Sequence, residues 1–254
     1  SHLSTIGSAG ALGKVIEFSG PGAESLSLSG RITVASMATE MGAIAAMIPL
    51  NDEVIKFIAG RSGTEPEEVT ADSGAEYEKT VTLDLSGLEP LAACPFSPSN
   101  VKPVSEVEGT RIHTAVLASC TNGRFEDMVH AASILKGRRI KEGVTLKVVP
   151  ATYEVYNRML NEGILEIFSR AGAIVSNPGC GGCASGQIGM VGKGEIQLST
   201  SNRNFAGKQG KGETYLVSPA TAAASVIEGK ITSPLDSGAG MIDFIPDESF
   251  DDYP

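Results

Sequence analysis

Several things are scarce in this chain, and each scarcity closes off a reading. There is no tryptophan, and aromatic residues make up only 5%, which is poor material for the base-stacking platforms of an RNA binder. The formal charge of −10 is opposite in sign to the basic face such a protein presents. No apolar run approaches the ~20 residues a membrane span needs. The opening stretch SHLSTIGSAGALGK lacks the basic-then-apolar order of a secretory leader. With only four cysteines in 254 residues, two of them in a Cys-x-x-Cys, the chain does not read as a disulfide framework. It reads as a protein of a reducing, cytoplasmic compartment with a metal or redox use for its thiols.

What is present describes a turn-rich globular chain: 41% hydrophobic residues, 20% charged residues and 30 glycines, enough for one large or two ordinary domains. The charge is uneven. DFIPDESFDDYP at the end holds five acids and no base, whereas SNRNFAGKQGKGE holds Arg203, Lys208 and Lys211 against one glutamate.

The proline-rich segment LAACPFSPSNVKPVSEVEG divides the chain. Before it, GKVIEFSG reads as a short strand, RITVASMATEMGAIAAMI as a buried helix, DEVIKFIAG as a second helix, and YEKTVTLDLSGL as an alternating strand with one wet face. After it, HTAVLAS, VTLKVVPAT and AIVSN read as strands, the first two apolar enough to be buried on both faces. FEDMVHAASILKG and YEVYNRMLNEGILEIFSRAG read as the helices between them. That rhythm predicts an α/β architecture with a mainly parallel sheet. Residues 1–92 form a first domain, 93–109 a linker, 110–235 a second domain, and 236–254 an acidic tail or further linker.

Ligands of such sheets sit beyond the carboxyl ends of the strands, and there Cys120 follows one strand and Cys180 and Cys183 follow another. Three thiolates on one rim suit a soft metal, either zinc or an iron–sulfur cluster. A closed zinc site would need a fourth ligand from Cys94, His113 or His130. Cys94 is more simply a small buried hydrophobe, His113 sits at the far end of its strand, and His130 lies on a helix. A thioredoxin-like redox pair is the other use of Cys-x-x-Cys. Purely structural cysteines would leave the surrounding glycines unexplained.

The motifs SCTNGRFEDM, NPGCGGC and STSNRNFAGKQG, in this order, resemble those of the aconitase superfamily. The last of them, followed by YLVSPATAAASVIEGKI, is most similar to the large subunits of 3-isopropylmalate dehydratases. The likeness covers nearly the whole chain. It implies two similar three-layer α/β/α domains, corresponding to the second and third of that family. It also implies a [4Fe–4S] cluster on Cys120, Cys180 and Cys183, and hydro-lyase chemistry on a 2-hydroxy di- or tricarboxylic acid in amino-acid biosynthesis.

By the same resemblance Asn202 and Arg203 serve the cluster and the substrate carboxylates, with Lys208 as a second cation, and Glu40 is the acid near the iron-bound hydroxyl. Two positions depart from the family. Ser36 stands where aconitase-type relatives carry asparagine, at i−4 from Glu40. Lys208 stands where an arginine is common, which keeps charge and loses the bidentate fork. The family's further partners, a first domain bearing DSHT-like motifs and a swivelling domain or small subunit, have no counterpart in the sequence. The expectation is therefore the cluster-bearing portion of a dehydratase, inactive by itself. An aconitate hydratase or homoaconitase portion is the alternative within the family; an RNA-binding regulator or an assembly subunit is the alternative outside it.

Overall fold

The computed structural model describes residues 5–237; His2 and nearly all of the acidic tail lie outside the described residues. The first half holds strand β1 (Val15–Glu17), helix α1 (Leu28–Met37), β2 (Ala45–Met47) and α2 (Asp52–Ser62). The second half holds β3 (Leu91–Ala93), β4 (Val101–Pro103), β5 (Thr114–Leu117), α3 (Phe125–Leu135), β6 (Thr145–Val148), α4 (Tyr153–Asn161), α5 (Ile164–Ala171), β7 (Ile174–Val175), β8 (Ile196–Ser199), β9 (Glu213–Val217) and α6 (Pro219–Glu228).

The α/β class with mainly parallel pairing is as the sequence implies. A seven-stranded sheet runs in the order β4-β3-β9-β8-β5-β6-β7. The five strands from β9 to β7 are parallel, while β3 and β4 are antiparallel at one edge. All four residues of β5 are buried, as the apolar run HTAVLAS requires of a central parallel strand. Ala115 and Leu117 join Leu146, Leu198 and the buried residues of the four helices α3 to α6 in the main core. The alternate residues Val116 and Ala118 point the other way, where they cluster with Val149 and Ile188. The cover on that face comes from the loop that carries the cysteines.

Where the local reading and the structure differ, pairing partners decide. The proline-rich segment 93–109 is part of the large sheet: β4 lies in it, and a helical turn at Val104–Val107 follows. The alternating stretch YEKTVTLDLSGL forms no strand. Among the described residues no sheet edge takes its backbone; side chains tie it to the start and end of β1, by the ion pair of Glu78 with Lys14 and by Tyr77, whose hydroxyl donates to Glu17 at 2.8 Å. The helix expected over 31–48 ends at Met37, tightens into a 3₁₀ turn over Ala38–Met41, and stops at Gly42 with φ 79°. A left-handed residue of this kind is where glycine terminates a helix at little cost. The chain then enters β2, which pairs in parallel with β1 alone.

No described helix is long and apolar enough to cross a membrane.

Candidate active site

The parallel order places three loops side by side. Cys120 lies just beyond β5, Cys180 and Cys183 beyond β7, and Asn202 and Arg203 beyond β8, all at the carboxyl edge of the sheet. Cys120 sits in a helical turn, Ser119–Asn122, entered through Ser119 at φ 86°. A serine in the left-handed region carries strain of about 1–3 kcal/mol that the surroundings must hold. They hold it through hydroxyls. Thr121 donates to Asn202 Oδ1 at 2.6 Å, which leaves the Ser119 hydroxyl to donate to Thr121 Oγ1 at 2.7 Å. Asn202 is thereby fixed by its oxygen, with its amide NH₂ bonded to no described residue.

The cysteine loop is glycine-rich for a steric reason. A Cβ on Gly181 would come within 2.5 Å of Ala118 Cβ, and one on Gly182 within 2.6 Å of the Gly189 carbonyl. The loop is pressed onto the end of β5, which brings its thiols toward Cys120. Cys120 and Cys180 are exposed, Cys183 is half-buried and Cys94 is buried; all are free thiols. Burial pushes the Cys183 thiol up from its ordinary value. Arg203 and Lys208 pull it down, and the neighbouring Cys180 and Cys120 raise it again. The five groups therefore share one local field. Among the described residues no group of three His, Cys, Asp or Glu side chains could hold a single metal ion.

Arg203 links this rim to the first half of the chain. Its Nε donates to Glu40 Oε1 at 2.5 Å, and the bond to Glu40 raises the guanidinium's already high pKa. Glu40 is buried, its side chain 5% exposed, whereas that of Arg203 is 36% exposed. A buried carboxylate needs such a partner. Ser36 is half-buried. Ser36 lies on α1 and Glu40 in the 3₁₀ turn that continues it over Ala38–Met41. Lys208 is half-buried in the same loop.

Two residues passed over by the sequence reading build this loop. Gln209, buried, donates to Ser201 Oγ at 2.8 Å and to the Arg203 carbonyl at 2.5 Å. Asn204 donates to the carbonyls of Ala93, Cys94 and Thr214. Nothing in a lone asparagine or glutamine distinguishes a loop anchor from a surface turn, so no signal was available. His113 accepts from the Ile196 amide at its Nδ1, at the opposite end of β5, and belongs to the scaffold. A cavity of about 730 Å³ lies between the C-terminal ends of α3 and α5, lined by Lys136, Arg138 and Arg170 among others. It is a helix length from the cysteines, roughly 16 Å at 1.5 Å per residue, and is separate from this site.

The aconitase family (aconitate hydratase) matches residues 2–110 and 102–229. The chain belongs to the aconitase family. Among its relatives, the 3-isopropylmalate dehydratase large subunit 1 of Methanopyrus kandleri is 47% identical over 231 residues, 90% of this chain and 55% of that protein. The 3-isopropylmalate dehydratase large subunit of Nitratidesulfovibrio vulgaris is 45% identical over 91% of this chain and 56% of its own length. The probable methanogen homoaconitase large subunit of Methanothermobacter thermautotrophicus is 43% identical over 91% of this chain and 55% of its own. This aconitase-family chain thus spans about half the length of the curated relatives it matches.

Proposed function

We propose that the chain is the cluster-bearing portion of a hydro-lyase that dehydrates and rehydrates a 2-hydroxy di- or tricarboxylic acid, of the 3-isopropylmalate dehydratase kind. It works in the cytoplasm, with further polypeptide (a first domain and a swivelling domain or small subunit) supplying the rest of the cleft. The observation that carries this reading is that the loops after β5, β7 and β8, which hold Cys120, Cys180, Cys183, Arg203 and Lys208, all leave the carboxyl edge of one parallel sheet. The donor chemistry fits: three free thiols on glycine-lined loops suit an iron–sulfur cluster, and the gathering of cations offsets the negative charge that deprotonated thiolates bring. When bound, a cluster held by Cys120, Cys180 and Cys183 supplies an iron with an open position, a Lewis acid toward hydroxyl and carboxylate oxygens.

The chain's own groups do the rest. Glu40 occupies Nε of Arg203, leaving the two terminal NH₂ groups to fork a carboxylate. Lys208 adds a point charge to the same anion. Asn202, its oxygen held by Thr121, offers its NH₂ to a substrate oxygen. Glu40 Oε2 accepts from no described residue, and it is the group placed to hold a proton of the departing or entering water. The Ser36 hydroxyl, one turn earlier, assists Glu40 there.

Anaerobic reconstitution with iron and sulfide tests the reading. The expected product is brown, with about four irons per chain, and Cys183→Ser abolishes the colour. A colourless protein that takes up one zinc instead would overturn it.

A further inference from the structure

One face of β8 is polar where a core would be apolar. Leu198 joins the main core, but Gln197 and Ser199 lie in register with Thr114 and Val116, on the face that the cysteine loop covers. Both are fully buried. Gln197 Nε2 donates to Gln209 Oε1 at 3.1 Å, and Gln209 Nε2 donates to Ser201 Oγ at 2.8 Å and to the Arg203 carbonyl at 2.5 Å. A carbonyl only accepts, so Arg203 fixes which way round the Gln209 amide sits and turns its oxygen to Gln197. Gln197 answers with its NH₂, and its own Oε1 is left with no partner among the described residues. A buried acceptor without a partner costs free energy that an apolar side chain would not. Core stability by itself gives no reason for this arrangement; a fixed amide orientation does.

Gln209 touches both loops that make the site. Its main-chain carbonyl accepts from the Val191 amide at 2.8 Å, on the return arm of the cysteine loop, and Val191 also bridges to Gly210. Its Oε1 lies against the backbone of Gly182, the residue before Cys183: a Cβ on that glycine would come within 2.8 Å of it. Its Nε2 holds the Arg203 carbonyl inward, while the Arg203 side chain runs out to the rim, where Nε meets Glu40. We infer that Gln209 is a positioning residue of the site: its amide sets the spacing between the Cys183 loop and Arg203, so that thiol and guanidinium face one bound group. It acts through the backbones of its two neighbours and touches no reacting atom. The inference rests on the proposed reading of the site, in which Arg203 takes a substrate carboxylate beside a group held by the cysteines.

The test uses the full chain before any iron is added, and it has two readouts. Hydrogen exchange at the Arg203 Nε–H is followed by NMR, the signal assigned by its loss in Arg203→Lys. Labelling of Cys183 by N-ethylmaleimide is followed by peptide mapping. Gln209→Met keeps the length of the side chain and removes its hydrogen bonds. It should speed both the Arg203 exchange and the Cys183 labelling by about tenfold, with the exposed Cys120 labelled as before. Gln209→Glu, closer still in shape, sets an oxygen against the Arg203 carbonyl and should do the same, so the test stands even if the urea midpoint shows that Gln209→Met does not fold. Ile164→Val trims a buried side chain at the start of α5; it lowers stability elsewhere and should move neither readout. The inference is overturned if either rate in the Gln209 variants stays within about twofold of the parent, or if Ile164→Val shifts the rates as much. Iron uptake by the parent chain is read separately: its failure would overturn the cluster reading and leave the two rates to decide the role of Gln209.

Discussion

The two halves of the chain are made of the same pieces and reach different degrees of completion. In the half from Leu91 onward, strands with both faces buried sit among helices whose apolar stripes meet in one core running from Ala92 to Ile231. In the half before it, a helix and two three-residue strands enclose a hydrophobic cluster whose fully buried members, among the described residues, are Ala11, Ala38 and Met41. The first half is held in place largely by polar links to the second: Arg203 to Glu40, Arg61 to Glu154 at 2.7 Å, Ser27 to Glu126 at 2.7 Å, and Thr33 to the Thr121 carbonyl at 3.1 Å. Two of these links touch the rim of the site. The larger half is thus a scaffold that stands by its own burial, and the smaller half is a wall that brings Glu40 to the rim and takes its order from its neighbours.

The largest expected contrast is in core truncation. Phe168, fully buried, should cost about 3–5 kcal/mol when changed to alanine, read from the urea midpoint. An alanine at any exposed position of β1–β2 should be nearly silent. If truncation at Val15 or Met47 cost as much as at Phe168, the two halves would share one core and the contrast would fail.

Next is the link at the site. Arg203→Ala strands a buried Glu40, for about 1–3 kcal/mol, an amount moderated because the arginine is partly exposed. The Arg203→Ala, Glu40→Gln double variant should lose less than the sum of the single changes, because the two residues touch. Additive losses would show that the pair does not join the halves.

A pH effect should follow from Asp127, near the start of α3. Burial pushes its carboxyl up to about 7, against the backbone amide of Arg124, which donates to it and lowers it. The unfolded chain releases this proton near pH 4 and the folded chain near 7, so between those values the folded state binds more protons and stability falls as pH rises. Asp127→Asn keeps an acceptor for the amide and should flatten that fall in a series of urea titrations. An unchanged slope would assign the pH dependence to other groups. The smallest effect is expected at Ile44→Glu, an exposed position beside β2, within about 0.5 kcal/mol. A larger loss would mean that this face of the small sheet is already covered.

Legibility in the sequence followed burial. HTAVLAS was readable as a buried strand because its run of apolar residues has no wet face to interrupt it, and the positions of Cys120 and Cys180 after strands followed from that. The stretch YEKTVTLDLSGL carried an equally clear alternation and is no strand, since alternation says which face would be buried but not whether a neighbour exists to pair with. Glu40 could be placed on a helix but not inside or outside, because the residue that neutralises it lies 163 positions away. Thr121, Asn204 and Gln209 went unread for the same cause: short polar side chains reveal a role only once their partners are known.

By itself the sequence determined the buried strands and helices that follow the proline-rich segment, the mainly parallel α/β character, and the three motifs that carry thiol, amide and guanidinium chemistry; each depends on neighbours within a few residues. The tertiary structure alone decided that these motifs face one another, that the proline-rich stretch closes an edge of the large sheet, and that the small sheet is left half covered. Those outcomes depend on which strand lies beside which, and strand order is set by burial summed over the whole chain.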